Sequence, residues 1–406
     1  MLVLAAAYPP WPNAPATRAR GFVRGLARLG YEVSVVTAST HFGEPPRDEG
    51  VEVDAAPWID PRSIATRFGL QKTPLGRPRT RSGGTRAASP LLQVAARIAV
   101  PDLYASWLPL AAARARRRLR PDSVIWSTGP ASGHVAARIA QREHPWVADV
   151  NDLWWQNPFR ETGTLRSSID RALEAQTIGH ATALTTVNET IRAELERRWS
   201  RPADVILSGF DPDELPPRSR QNGELRLLFA GTLYPTVDLS PLFAGISAII
   251  QDRSVSRKRI ELRFVGGGAA RFALQAESHG LADLCKAGDP VPRSELLQEL
   301  VDADALVLPV YREQADILQM RFFEYVGAGR PIIALGPTDK LSSRIVREEG
   351  LGVSVSTPEE MEDALTRLLT DPEGGIPVNE RARARFTWDE RIRDLARVLE
   401  RAAGRL

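Results

Sequence analysis

The chain has 406 residues, 43% hydrophobic and 25% charged, enough for two domains of ordinary size and the balance of a globular protein. The formal net charge is only +3 but is unevenly spread, and the single cysteine, Cys285, excludes an internal disulfide and a cysteine-built metal site. No apolar run approaches the length that crosses a bilayer, and Met1 to Pro10 lacks the basic start of a secretory signal, so a cytoplasmic protein is expected.

Strand and helix patterns alternate from end to end, which predicts an α/β protein with parallel sheets covered on both faces. A strand from Leu2 to Ala6 runs into the Pro-rich loop Pro9 to Pro15. A helix from about Thr17 to Leu29 follows, stopped by Gly30 before a strand from Glu32 to Thr37. This opening is Rossmann-like but has no Gly-x-Gly-x-x-Gly, which argues against a dinucleotide. The segment Thr73 to Ala88, rich in Pro, Gly, Ser and Arg, is expected to be mobile. Between Arg62 and Arg120 the many basic residues, Arg77, Arg79, Arg81 and Arg86 among them, face one acid, Asp102; the span reads either as a solvated face or as a contact for anionic lipid headgroups or an acidic acceptor. Nucleic acid is disfavoured, because no aromatic-interleaved basic motif accompanies the charge.

A helical stretch reaching Leu119 precedes the strand Ser123 to Ser127 and the turn Thr128-Gly129-Pro130. His134 follows that turn, where open α/β sheets place ligands, although a lone histidine near a helix start is more often structural. Further strands are expected at Trp146 to Val150, Ala183 to Val187 and Asp204 to Leu207. Asp149 and Asp152 either reach a ligand or cap the next element. Ser208 to Gln221 reads as a linker. A second series then runs through Leu225 to Ala230, Glu261 to Val265, Ala305 to Pro309 and Pro331 to Leu335, and an amphipathic helix from Trp388 to Ala403 closes the chain. Gly266-Gly267-Gly268 is better read as a tight turn than as a phosphate cradle.

The most informative stretch runs from Asp316 to Ala334. It sets an acid, Arg321 and Glu324 around a helix start and ends that helix at Ala328-Gly329-Arg330-Pro331. Free N–H groups and the dipole at a helix N-terminus suit a diphosphate; Arg321 adds fixed charge, and Glu324 can accept from a sugar diol. The competing reading is an ordinary amphipathic helix before a sheet strand.

This stretch resembles the donor motif of the family 4 retaining glycosyltransferases, with Asp316 at the first acid, Arg321 at the basic position and Glu324 at the second acid. Tyr8-Pro9-Pro10 with Arg18, the run Ala148 to Trp154, and Ser208-Gly209-Phe210-Asp211 are similar to other motifs of that family, in the same order. The resemblance implies a GT-B architecture of two Rossmann-like domains facing a central cleft: residues 1–207 for the acceptor, a linker at 208–222, residues 223–385 for the nucleotide sugar, and a closing helix at 386–406 that crosses back to the first domain. It implies His134, Asp316 and Arg321 as catalytic residues. Glu324, Gly231, Thr232, Ile317, Leu318 and Val291 fall on the donor side, and Asn13, Arg18 and Asp152 on the acceptor side. Thr232 stands where the family carries an arginine, so more charge neutralisation falls to Arg321. The implied reaction is metal- and cofactor-independent transfer from a nucleotide diphosphate sugar to a saccharide, a lipid-linked saccharide or a natural product. Two other readings share the architecture: a catalytically silent nucleotide- or partner-binding relative, and a nucleotide-sugar epimerase.

Overall fold

A computed structural model of the chain describes residues 1–11, 13–40, 43–59, 99–156, 163–219, 223–233, 237–251, 256–311, 318–372 and 374–405. Asp316, Ile317 and the Thr73 to Ala88 segment lie outside the described residues. The chain divides into two compact units. The first holds the described residues up to Ser208 together with Trp388–Leu406, and the second holds Gly209–Thr387.

In the first unit, strands β1 (Leu2–Ala5), β2 (Val33–Ala38), β3 (Val51–Ala56), β4 (Ile125–Thr128), β5 (Trp146–Val150), β6 (Ala183–Thr186) and β7 (Ala203–Val205) alternate with helices. These are α1 (Ala14–Arg28), α2 (Leu108–Arg118), α3 (Ala131–Ala140), α4 (Thr164–Ile178) and α5 (Glu189–Trp199). The sheet is parallel with order β3-β2-β1-β4-β5-β6-β7, so the strand order reverses between β1 and β4. The crevice beyond the carboxyl ends of those two strands is where this topology binds ligands.

Helix α1 begins three residues before the sequence pattern suggests. Asn13 caps it, accepting from the Ala16 N–H at 2.9 Å, and Pro15 is tolerated in the first turn, where its missing N–H costs nothing. Glycines at 21 and 25 on one face of α1 make room for the closing helix. A Cβ on Gly21 would lie 2.4 Å from the Trp388 ring, and one on Gly25 would lie 1.8 Å from Ile392. Phe22 meets Trp388 edge-on at 5.1 Å, which fixes the return of the chain to this unit.

The second unit carries β8 (Leu225–Ala230), β9 (Ile260–Val265), β10 (Cys285–Gly288), β11 (Ala305–Pro309), β12 (Ile332–Leu335) and β13 (Gly352–Val355). Its helices are α6 (Ser240–Gln251), α7 (Ala269–Ser278), α8 (Arg293–Asp302), α9 (Met320–Ala328), α10 (Leu341–Glu348), α11 (Pro358–Thr370) and α12 (Glu380–Ala384). The closing helix α13 (Trp388–Ala402) belongs to the first unit. The order β10-β9-β8-β11-β12-β13 repeats the plan, with reversal between β8 and β11. Phe229, Phe243, Phe264 and Phe272 interlock in the core beneath this sheet.

The stretch read as a linker begins where the two units divide, between Ser208 and Gly209, and is anchored to the second unit at Phe210 and Ser219. Phe210 is 6% exposed, bonds its N–H to the Phe386 carbonyl at 3.1 Å, and fills the space left by Gly327, where a Cβ would come within 2.8 Å of its ring. Ser219 donates to Asp302 from both its N–H and its hydroxyl. The basic run is also less unbalanced than its sequence suggests, since Arg114 and Arg118 pair with Asp54, Arg118 also with Glu52, and Arg120 with Glu32. Acids distant in sequence but adjacent in the sheet neutralise this part; Arg77, Arg79, Arg81 and Arg86 lie outside the described residues. Among the described residues no helix is long and apolar enough to cross a membrane.

Candidate active site

In the second unit the reversal point is built from two glycine turns and the start of α9. Gly231, leaving β8 at φ 126°, donates to Val265 O at 2.8 Å, and Leu233 N–H reaches Gly267 O at 2.8 Å. A Cβ on Gly266 would lie 1.9 Å from Gly231 O, so the glycine run serves the tight-turn role. Tyr325, fully buried, accepts from the Ala230 N–H at 2.8 Å and so pins α9 to the end of β8; burial raises its phenol to about 12.

That pin sets Arg321 against the turn. Its guanidinium lies 5.2 Å from the centroid of the Phe229 ring, and a Cβ on Gly231 would sit 2.1 Å from Nη2, so only glycine allows this approach. Arg321 Nη1 is buried and has no hydrogen-bond partner. Thr232 is exposed beside it and Leu318 is buried just before α9. Glu324, one turn along, has Oε1 paired with Arg293 Nη1, while Arg293 Nη2 reaches Glu214 Oε2 at 3.2 Å. Arg293 opens α8 directly after the exposed loop that carries Val291, so the pair ties this loop to α9. The sequence reading missed Arg293, because nothing local marks a partner 31 residues away.

In the first unit, four expected residues separate into two groups. Arg18 and Asp149 are 3% and 1% exposed and form a two-point ion pair, Nε to Oδ2 at 2.9 Å and Nη2 to Oδ1 at 2.8 Å. Arg18 also bonds Ile206 O and Ser208 Oγ, and Asp149 accepts from Thr128 and Thr185. Burial pushes the Asp149 carboxyl up, but the Arg18 charge and the bonds from Arg18, Thr185 and Thr128 hold it below its ordinary value. Arg18 is therefore a structural residue rather than an acceptor contact, and Asn13 is committed to capping α1.

His134 and Asp152 line a cavity of about 360 Å³ at the carboxyl ends of β4 and β5. His134 is 4% exposed, and its Nδ1 lies 2.8 Å from Ser127 Oγ, which also accepts from Trp146 Nε1 at 2.7 Å. The buried Ser127 hydroxyl needs an acceptor, and Nδ1 is the one in reach. That assignment leaves His134 neutral with its hydrogen on Nε2, available to the cavity the ring lines. Desolvation lowers its pKa to about 4, against a small opposing pull from Asp149. A histidine whose folded pKa lies below its unfolded value adds stability that is present above about pH 6.5 and is lost as pH falls toward the folded value. Parent protein should therefore lose on the order of 3 kcal/mol more than His134→Gln between pH 7 and pH 4 in urea unfolding. Equal losses in the two proteins would remove the buried neutral imidazole.

Residues 13–207 match the family described as Glycosyl transferase 4-like domain, and residues 224–371 match Glycosyl transferases group 1. The chain is 27% identical over 190 residues to the D-inositol 3-phosphate glycosyltransferase of Thermobispora bispora, covering 44% of each. It spans about half the length of the curated relatives it matches. Among solved structures it is similar to a sucrose-phosphate synthase from Thermosynechococcus elongatus, at 17% identity over 98% of each chain with a TM-score of 0.66. It is also similar to Anabaena HepE in complex with UDP-glucose, at 12% identity over 99% of this chain and 100% of that one, TM-score 0.61. At these identities the likeness is one of fold.

Proposed function

The chain belongs to the family 4 glycosyltransferases, and on that premise we propose that it transfers a glycosyl group from a nucleoside diphosphate sugar to an acceptor hydroxyl with retention of configuration. The observation that carries the reading is Arg321: a guanidinium held at the β8 reversal point with Nη1 buried and without a partner. A diphosphate oxygen satisfies that donor, and the N–H groups at the start of α9 add to it. Glu324 keeps Oε2 for the ribose diol while Arg293 holds Oε1. Asp316 and Ile317 lie outside the described residues, and the proposal assigns them the donor-side roles that the family resemblance implies.

The chemistry needs no group beyond the two reactants and this frame. The acceptor oxygen bonds to the anomeric carbon on the face from which the diphosphate leaves. The carbon–oxygen bond to phosphate breaks, and a phosphate oxygen takes the hydroxyl proton. Arg321 stabilises the charge that grows on the departing diphosphate, and binding supplies orientation. In the first unit His134 offers its Nε2 hydrogen to a sugar hydroxyl. The curated relatives are named for D-inositol 3-phosphate, which makes a cyclitol, phosphorylated or free, the first acceptor class to test.

A thermal-shift screen with UDP, GDP, ADP, dTDP and their glucose conjugates tests this reading. A donor at a hundred times its dissociation constant stabilises the protein by about 2.7 kcal/mol, a plain rise in the unfolding midpoint. Midpoints that no nucleotide moves would overturn it. Release of free nucleoside diphosphate separates transfer from silent binding, and an altered sugar on an intact donor identifies an epimerase.

A further inference from the structure

The first-unit cavity has a polarity that narrows the acceptor, an inference resting on the transferase reading above. At the strand-order reversal the N-terminus of α3 is where an anion would ordinarily dock, because its N–H groups are free and its dipole end is positive. Here that position is filled by the chain itself. Asp102 accepts from Ser132 N–H at 2.8 Å and Ser132 Oγ at 2.6 Å, and from Tyr104 N–H at 2.8 Å.

The remaining wall is aromatic and acidic. Tyr104 and Trp154 supply ring surface, and Asp152 and Glu174 bring two more carboxylates. Among the described lining residues none is a lysine or arginine. Three lining side chains each keep one buried polar atom without a partner: Asn151 Oδ1, Trp154 Nε1 and Glu174 Oε1. Glu174 is 2% exposed and Trp154 6% exposed. Asn151 has its amide committed to Thr128 Oγ1 at 2.9 Å, and Glu174 its other oxygen to Arg198, so the free atom of each is held in place.

We propose that this cavity receives an uncharged, polyhydroxylated ring, a sugar or cyclitol without phosphate, whose hydroxyls pair with Asn151, Trp154 and Glu174 and whose C–H face lies on the aromatic wall. Two acceptors and one donor match hydroxyls, which both donate and accept. A phosphate ester in the same volume would face carboxylates at the one position the fold provides for an anion, and like charges across a binding surface are strongly disfavoured. The discrimination is set by Asp102 and Asp152, the Glu174 charge being paired with Arg198.

Saturation-transfer NMR on the intact chain tests this without requiring turnover, using methyl α-glucoside and myo-inositol against glucose 1-phosphate. The neutral rings should bind roughly tenfold or more tightly than the phosphate ester. Trp154→Phe should weaken the neutral rings several-fold at an unchanged unfolding midpoint. Asp102→Asn, which can still cap α3, should raise glucose 1-phosphate binding relative to that of the neutral rings. A purely structural Asp102 would lower stability without changing this preference. Glucose 1-phosphate binding as well as the neutral rings, binding by neither class, or indifference to Trp154→Phe would each overturn the proposal. Nucleotide thermal shifts report on the transferase reading separately, so a positive shift with no ring binding removes this inference alone.

Discussion

Replacing Arg321 with alanine is expected to weaken nucleoside diphosphate binding by about 10- to 150-fold, the equivalent of one hydrogen bond to a charged group at roughly 1.5 to 3 kcal/mol. The size of the effect follows from the isolation of this side chain. Its stem is fixed by α9, its plane rests near Phe229, and the Gly231 backbone closes one side. Thr232, exposed beside it, has no charge to offer. Turnover should fall at least as far, because charge on the leaving diphosphate is greater in the transition state than in the ground state. Arg321→Lys should recover only part of the loss, since an ammonium keeps the charge and loses the planar fork. Calorimetry with UDP and GDP on the three proteins checks the order parent, lysine, alanine. An alanine variant with the parent dissociation constant would detach Arg321 from the donor.

Much of this frame is legible in the chain. Trp146 to Val150, Leu225 to Ala230 and Ala305 to Pro309 are short apolar runs bounded by polar or turn residues, and each is a strand with those bounds. Strands β10 and β13 escape such a reading. Cys285-Lys286-Ala287-Gly288 and Gly352-Val353-Ser354-Val355 sit at the sheet edge, half-buried, and carry too little apolar sequence to announce themselves.

The candidate site divides in the same way. His134 stands just past the end of β4, on the ligand side of the topology, whereas Arg321 and Glu324 sit on a helix that spacing alone leaves open and that the resemblance to the family's donor motif points to. Arg293, Trp154 and Glu174 gain their meaning from partners on other elements. Arg293 meets Glu324 across two helices, and Glu174 on α4 lines the same cavity as Asn151. Asp102 is a further case. In sequence it is the one acid in a basic span, and only the fold brings it to the Ser132 amide and hydroxyl, 30 residues away.

Arg18 and Asp149 show how a motif can be right in its residues and wrong in its role. Asp149→Ala should destabilise the first unit by about 3 to 5 kcal/mol, the usual effect of leaving one member of a buried ion pair alone. The change removes the acceptor for two arginine donors and for the Thr128 and Thr185 hydroxyls, while Arg18 stays 3% exposed. The carboxyl has a folded pKa below its unfolded value, so its contribution is present above the unfolded value and is lost as pH falls through the folded one. The stability gap between parent and variant should therefore stay open down to about pH 4 and close only below it. Urea unfolding at several pH values measures this. If the single variant proves too unstable to purify, Arg18→Met in the Asp149→Ala background should recover stability, because the stranded charge goes with it. A residue acting on the acceptor would behave otherwise: Asp149→Ala would keep its unfolding midpoint and lose turnover, and the second substitution would restore nothing.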